Sequence, residues 1–87
     1  MLRLYAKRVG CPRCNNVKKW LGAEHRNLVE GQHYEIIYVD DPGADSTALQ
    51  ERGFQSVPVI FIDGQEPFHG VDVTRLEAWR AALDDVQ

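Results

Sequence analysis

Leu2, Leu4 and Ala6 alternate with Arg3, Tyr5 and Lys7, a period-2 pattern that predicts a strand, and Val9-Gly10 breaks it into a loop. The period then changes. Cys14, Val17, Leu21 and Leu28 recur at helical spacing with Trp20 beside them, and Pro12 suits a first helical position, where its missing N–H has no partner to lose. The spacing predicts a helix that opens at Cys11-Pro12, runs through Leu28 and stops at Gly31. Tyr34 to Val39 is dense in β-branched and aromatic residues and predicts a second strand, closed by the turn chemistry of Asp40-Asp41-Pro42-Gly43. Asp45 or Ser46 is placed to cap a short helix through Ala48, Leu49 and Arg52, with Gly53 at its stop. Val57 to Ile62 predicts a buried strand, and Asp63-Gly64 a tight hairpin that returns Pro67 to His69 antiparallel to it. Asp72 is an N-cap candidate for a last helix that carries Leu76, Trp79, Ala82 and Leu83 on one face.

The order is β-α-β-α-β-β-α. A strand-helix-strand start requires a right-handed crossover between parallel strands, and the hairpin adds an antiparallel edge. The expected class is α/β, a mixed four-stranded sheet flanked by helices. With 87 residues, 44% hydrophobic and 26% charged, the chain is expected to form one domain over residues 1–87 around one core.

Charge changes the picture more than composition does. The net charge is −3, but residues 1 to 30 hold seven basic side chains against two acidic ones, and residues 31 to 87 hold three against eleven. An acidic chain is a poor nucleic-acid binder, since that activity rests on a basic face that neutralises phosphates. No apolar run approaches the roughly 20 residues of a membrane helix, so no membrane association is expected. Charge arrives at Arg3 with no long apolar stretch behind it, which leaves a cytoplasmic location without a secretory signal as the expectation.

The basic third contains both cysteines. Two cysteines three residues apart cannot staple a long loop, so stabilising the fold is not their expected task. Cys11-Pro12-Arg13-Cys14 opens a helix directly after a strand in a βαβ context, the setting of a thioredoxin-like redox motif. Unpaired backbone N–H groups and the helix dipole favour an anion at Cys11, and Lys7, Arg8 and Arg13 are close enough in sequence to add to that field. Such thiols fall from about 8.5 to roughly 3.5–7.5. Cys14, one turn inward, is expected to be buried and less acidic. Cys11 is therefore assigned as the nucleophile that attacks a target disulfide, and Cys14 as the resolving thiol.

Two other readings of the pair are weaker. A structural zinc site wants four ligands, and His25, His33 and His69 supply no second closely spaced pair, so no metal is expected. Inert core cysteines would not call for a helix N-terminus. Pro58 is the second candidate element, because a proline in a Val/Ile-rich segment marks an edge, a strand start or a cis bond. A cis Val57-Pro58 bond would present the backbone of Val57 outward, ready to pair with an extended substrate.

Cys11-Pro12-Arg13-Cys14, Ser56 to Gly64, and Phe68-His69-Gly70-Val71-Asp72 together resemble the glutaredoxins, within the thioredoxin-fold superfamily. The resemblance implies a thioredoxin fold, a cis Pro58 facing the cysteines, and thiol-disulfide exchange on protein disulfides or glutathione mixed disulfides. It implies no bound cofactor, with glutathione as reductant. It also implies a glutathione site in which Lys7 and Arg13 flank the ligand and Val57 bonds its cysteinyl backbone, while Gly70, Val71 and Asp72 hold the γ-glutamyl end. A helix N-terminus suits a carboxylate, and an aspartate there suits an ammonium.

The chain departs from the family at Arg13, usually tyrosine, at His69-Gly70, usually two glycines, and at Asp72-Val73, usually two acidic residues. Glu51 to Val59 is similar to the NrdH-type redoxins, which donate electrons to ribonucleotide reductase and are recharged by thioredoxin reductase. A glutathione-assisted iron–sulfur module is a third reading, since sulfur ligands suit iron. Trp20 and Trp79 are expected in the core, Phe54 and Phe68 either in packing or at the site's rim, and His69, Asp40-Asp41 and Asp84-Asp85 in solvent. A monomer is the default.

Overall fold

β1 (Leu2–Ala6) lies at the centre of a four-stranded sheet of order β2-β1-β3-β4, as a computed structural model that describes residues 1–85 defines it. β2 (Tyr34–Tyr38) runs parallel to β1 with Leu4 opposite Ile36. β3 (Val59–Ile62) runs antiparallel to β1 with Leu4 opposite Ile60, and β4 (Phe68–His69) pairs antiparallel with β3. The α/β class and the mixed four-stranded sheet match the sequence expectation, with helices α1 (Pro12–Gly22), α2 (Thr47–Glu51) and α3 (Val73–Asp85) between and after the strands.

The alternation in β1 sorts its side chains to two faces. Leu2, Leu4 and Ala6 are fully buried with Cys14, Val17 and Leu21 of α1 and Leu76 and Trp79 of α3 in the larger cluster. Tyr5 points the other way, where it meets Leu49 of α2 and Val59, with Phe54 and Phe61 packed edge-on beside them. Tyr5 is thus buried too, because α2 covers the face that an amphipathic reading leaves wet.

Several boundaries differ from the pattern. α1 stops at Gly22, not beyond Leu28. Ala23 takes an extended conformation, a 3₁₀ turn follows over Glu24–Arg26, and Asn27 sits at φ 53°, a left-handed position that asparagine tolerates. Leu28 still packs on the core, but it arrives there from a loop. The β3 ladder starts at Val59 because Pro58 has no N–H to give, and β4 starts at Phe68. The chain turns at Ile62 to Gln65, where the Gln65 N–H donates to the Ile62 carbonyl at 3.0 Å, and β4 follows only after five connecting residues.

Asp72 caps α3: its carboxylate accepts the Arg75 N–H at 3.2 Å. Leu76 and Trp79 of α3 are buried and Leu83 partly so, while Ala82 is exposed, out of phase with that stripe. At α2, Asp45 rather than Ser46 supplies the side-chain acceptor, taking the Thr47 N–H at 3.0 Å, and its carboxyl is held below the usual range first by the Thr47 side chain and then by that N–H. Among the described residues no helix is long and apolar enough to cross a membrane.

Candidate redox site

The first helix begins on a cysteine. Gly10 takes φ +78°, which turns the loop after β1 so that Cys11 becomes the N-cap of α1 with Pro12 behind it. The Cys11 sulfur receives the backbone N–H of Cys14 at 3.2 Å, in the role that a serine or aspartate oxygen usually fills. Cys11 and Cys14 are joined by a disulfide, with Cα atoms 5.3 Å apart. Their surroundings differ. Cys14 is fully buried in the larger core, while Cys11 is partly exposed at its edge. In the reduced state a Cys11 thiolate would keep the Cys14 N–H and the positive end of the α1 dipole, both of which favour the charged form.

The loop before β3 approaches from the opposite side. The Val57-Pro58 peptide is cis, and the Val57 carbonyl oxygen lies 3.9 Å from Cys11 Sγ. Among the described residues the Val57 N–H has no backbone partner. β4 and the glycine after it tie this loop down at two points. The N–H of the buried Gly70 donates to the Pro58 carbonyl at 2.9 Å, and Ser56 Oγ lies 2.8 Å from Nε2 of His69. Gly70 holds φ +92°, a conformation glycine adopts freely. His69 is therefore exposed but partnered, where a solvated side chain was expected.

Between the two loops lies a cleft of about 370 Å³. Lys7, Gly10 and Cys11 line it together with Val39, Ser46, Leu49, Gln50 and the segment Phe54 to Val57. Of the sequence-chosen residues, Lys7, Cys11 and Val57 meet there. Pro58 is buried behind Val57, Arg13 is exposed on α1, and Gly70, Val71 and Asp72 sit at the end of β4 and the start of α3, outside the lining. The Asp72 carboxylate is engaged within its own helix, by the Arg75 N–H and by Arg75 Nε at 3.5 Å. Phe54 lines the cleft, whereas Phe68 belongs to the core.

Arg8 does not add free charge to Cys11, as its position in the chain had suggested. Its backbone N–H donates to both carboxylate oxygens of Asp40, at 3.1 and 3.0 Å. Its guanidinium takes Asp41 through two bonds, at 2.6 and 2.9 Å. The hydrogen bond from Arg8 holds the Asp41 carboxyl below its usual range, and the same bond raises Arg8. The guanidinium also stacks on Tyr38 at 3.9 Å. Asp40-Asp41 is thus a clamp on the Cys11 loop rather than a solvated pair. Sequence reading missed it, together with Ser46 and Gln50 in the cleft wall, because no period or motif relates residues some thirty positions apart.

A model of the glutaredoxin family matches residues 2–67, three quarters of the chain, with Cys11, Cys14 and Pro58 inside the match. The chain belongs to the glutaredoxin family. Among solved structures the chain is similar to the thioredoxin-like protein BC3987, at 28% identity and a TM-score of 0.64 over 91% of this chain and 99% of that one. No match to a curated protein was found. A thioredoxin fold built around a Cys-x-x-Cys disulfide accounts for both similarities, and the cleft opens beside the more exposed of the two sulfurs.

Proposed function

We propose that the protein is a thiol-disulfide oxidoreductase that reduces protein disulfides or glutathione mixed disulfides through Cys11 and Cys14. The observation that carries this reading is the asymmetry of the pair: Cys11 is partly exposed and receives an N–H on its sulfur, while Cys14 is fully buried one turn inward. Starting from the dithiol, the Cys11 thiolate attacks one sulfur of the target disulfide. The target S–S bond breaks, a mixed disulfide forms, and the first target sulfur leaves as a thiolate that takes a proton from water. Cys14, on losing its proton, attacks Cys11 Sγ. That step forms the Cys11–Cys14 disulfide and releases the second target thiolate, so two electrons have passed to the target. Val57, with its carbonyl facing Cys11 and its N–H without a backbone partner, suits an extended target segment that pairs by main chain.

Two thiols of glutathione would reset the oxidised pair, forming glutathione disulfide. Lys7 in the cleft wall suits the glycine carboxylate of that tripeptide. A second reading draws support from Asp72. The carboxylate that the family resemblance assigns to the γ-glutamyl ammonium already holds Arg75, which favours recharging by a thioredoxin reductase instead. Recycling of the Cys11–Cys14 disulfide, followed in parallel with glutathione plus glutathione reductase and with NADPH plus thioredoxin reductase, separates the two. Fast turnover with glutathione supports the first reading, and turnover only with the reductase supports the second. If neither reduces an accessible pair, the oxidoreductase proposal fails.

A further inference from the structure

Residues 1–23 carry six basic side chains and no acidic one, in a chain whose net charge is −3. The fold spends two of the six on ion pairs, since Arg3 lies 3.8 Å from Asp63 and Arg8 is held by Asp41. Lys7, Arg13, Lys18 and Lys19 enter no ion pair among the described residues. Lys18 rests over the Tyr38 ring at 5.0 Å, whereas Lys7, Arg13 and Lys19 are exposed. Lys7 and Arg13 lie close to the attacking sulfur in the chain, and Lys19 continues the basic series in the last turn of α1. Lys7 is the one charged residue that lines the Cys11 cleft, and Arg13 and Lys19 stand on the outer side of the helix that Cys11 caps. The other exposed residues of α1 are Pro12, Asn15, Asn16 and Gly22, so no carboxylate on the helix offsets them.

Several acids on this side of the molecule are engaged, although Glu51, next to Gln50 of the cleft wall, stays exposed. Asp40 and Asp41 are turned onto Arg8, and Asp72 onto the start of α3. The positive end of the α1 dipole adds to the same field. A basic face on an acidic protein, running from one partly exposed sulfur along the helix that it caps, is the pattern of charge-steered recognition.

We propose that this face docks an acidic segment of a protein partner, which presents its disulfide to Cys11 while its carboxylates meet Lys7, Arg13 and Lys19. The inference rests on the oxidoreductase reading and names the class of target. Its test compares two disulfide-bonded peptides with one core sequence, flanked by glutamates in one and by lysines in the other, with the uncharged hydroxyethyl disulfide as control. The value of kcat/KM for the acidic peptide should exceed that for the basic one by roughly tenfold at low salt. The ratio should fall toward unity in about 1 M NaCl, where the Debye length is about 3 Å. Lys19→Glu should lower the rate on the acidic peptide several-fold and leave hydroxyethyl disulfide untouched. Equal rates for the two peptides, a preference that survives high salt, or a Lys19→Glu effect shared by all three substrates would overturn the docking proposal and leave the oxidoreductase reading standing. Failure to reduce even hydroxyethyl disulfide would bring down both.

Discussion

The two faces of the sheet are built to different depths. One receives α1 and α3 and closes over Leu2, Leu4, Val17, Leu21, Ile60 and Leu76, each fully buried. The other receives only the five-residue α2, and its buried set is Tyr5, Leu49 and Val59. The difference assigns the cysteines their places. Cys14 hangs from α1 into the deep face, where close packing excludes water, while the thin face leaves the cleft open beside Cys11. A single helical turn therefore spans from solvent to core, and the chemistry proposed for the pair needs that gradient.

Removing either sulfur is the most severe test of this division. Cys11→Ser should bring disulfide reduction down to the uncatalysed background, while the fold, which loses only an edge sulfur, persists. Cys14→Ser should permit the first attack and stall at the second. Mass spectrometry of a reaction with a disulfide peptide would then show protein plus one peptide strand as the accumulating species. Accumulation in Cys11→Ser instead would reverse the roles assigned to the two sulfurs.

Next in size are the two leucines that stand for the two faces. Leu21 is fully buried between α1 and the sheet, so Leu21→Ala should cost about 2–5 kcal/mol through lost transfer energy and the cavity it leaves. Leu49 is 7% exposed and borders the cleft, where water can fill the space vacated. Leu49→Ala should fall near the low end, about 2 kcal/mol, yet reshape the cleft wall and raise KM for a disulfide peptide. Urea midpoints and steady-state kinetics on both variants decide the matter. A Leu49 cost equal to that of Leu21, with KM unmoved, would erase the distinction between a structural and a functional face.

Much of this was legible in the chain. The alternation of Leu2, Leu4 and Ala6 marks the deep face of β1, and Cys11-Pro12 marks a helix start, since both depend on neighbours in sequence. What the pattern reports is direction, not continuity. Leu28 stands two turns after Leu21 in helical phase, so it reads as one helix, although Ala23 and Asn27 leave helical geometry between them and Leu28 comes back to the core from a loop. Ala82 shows the same limit, because a methyl group earns little from burial and cannot hold a phase against Leu76 and Trp79. The tie between Ser56 and His69 and the grip of Asp40 and Asp41 on Arg8 lie beyond any local signal, since each joins segments that only the finished sheet makes neighbours.

That grip gives the finest test, because it holds the rim of the thin face by charge where the deep face is held by packing. Arg8 and Asp41 are both well exposed, so the pair contributes modestly and through a screened interaction. The Asp41 carboxyl lies lower in the folded protein than in the unfolded chain, chiefly because of its hydrogen bond from Arg8. Its contribution is therefore complete at neutral pH and is lost as pH falls through the folded value. Asp41→Asn should lower the urea midpoint slightly at pH 7, and the gap from the native protein should close in acid as the native Asp41 takes up its proton. High salt at pH 7 should narrow the gap as well. A gap that stayed constant from neutral pH into strong acid would mean that Asp41 acts by shape alone. The Cys11 loop would then owe its position to the Asp40 bonds at the Arg8 N–H, which the substitution leaves in place.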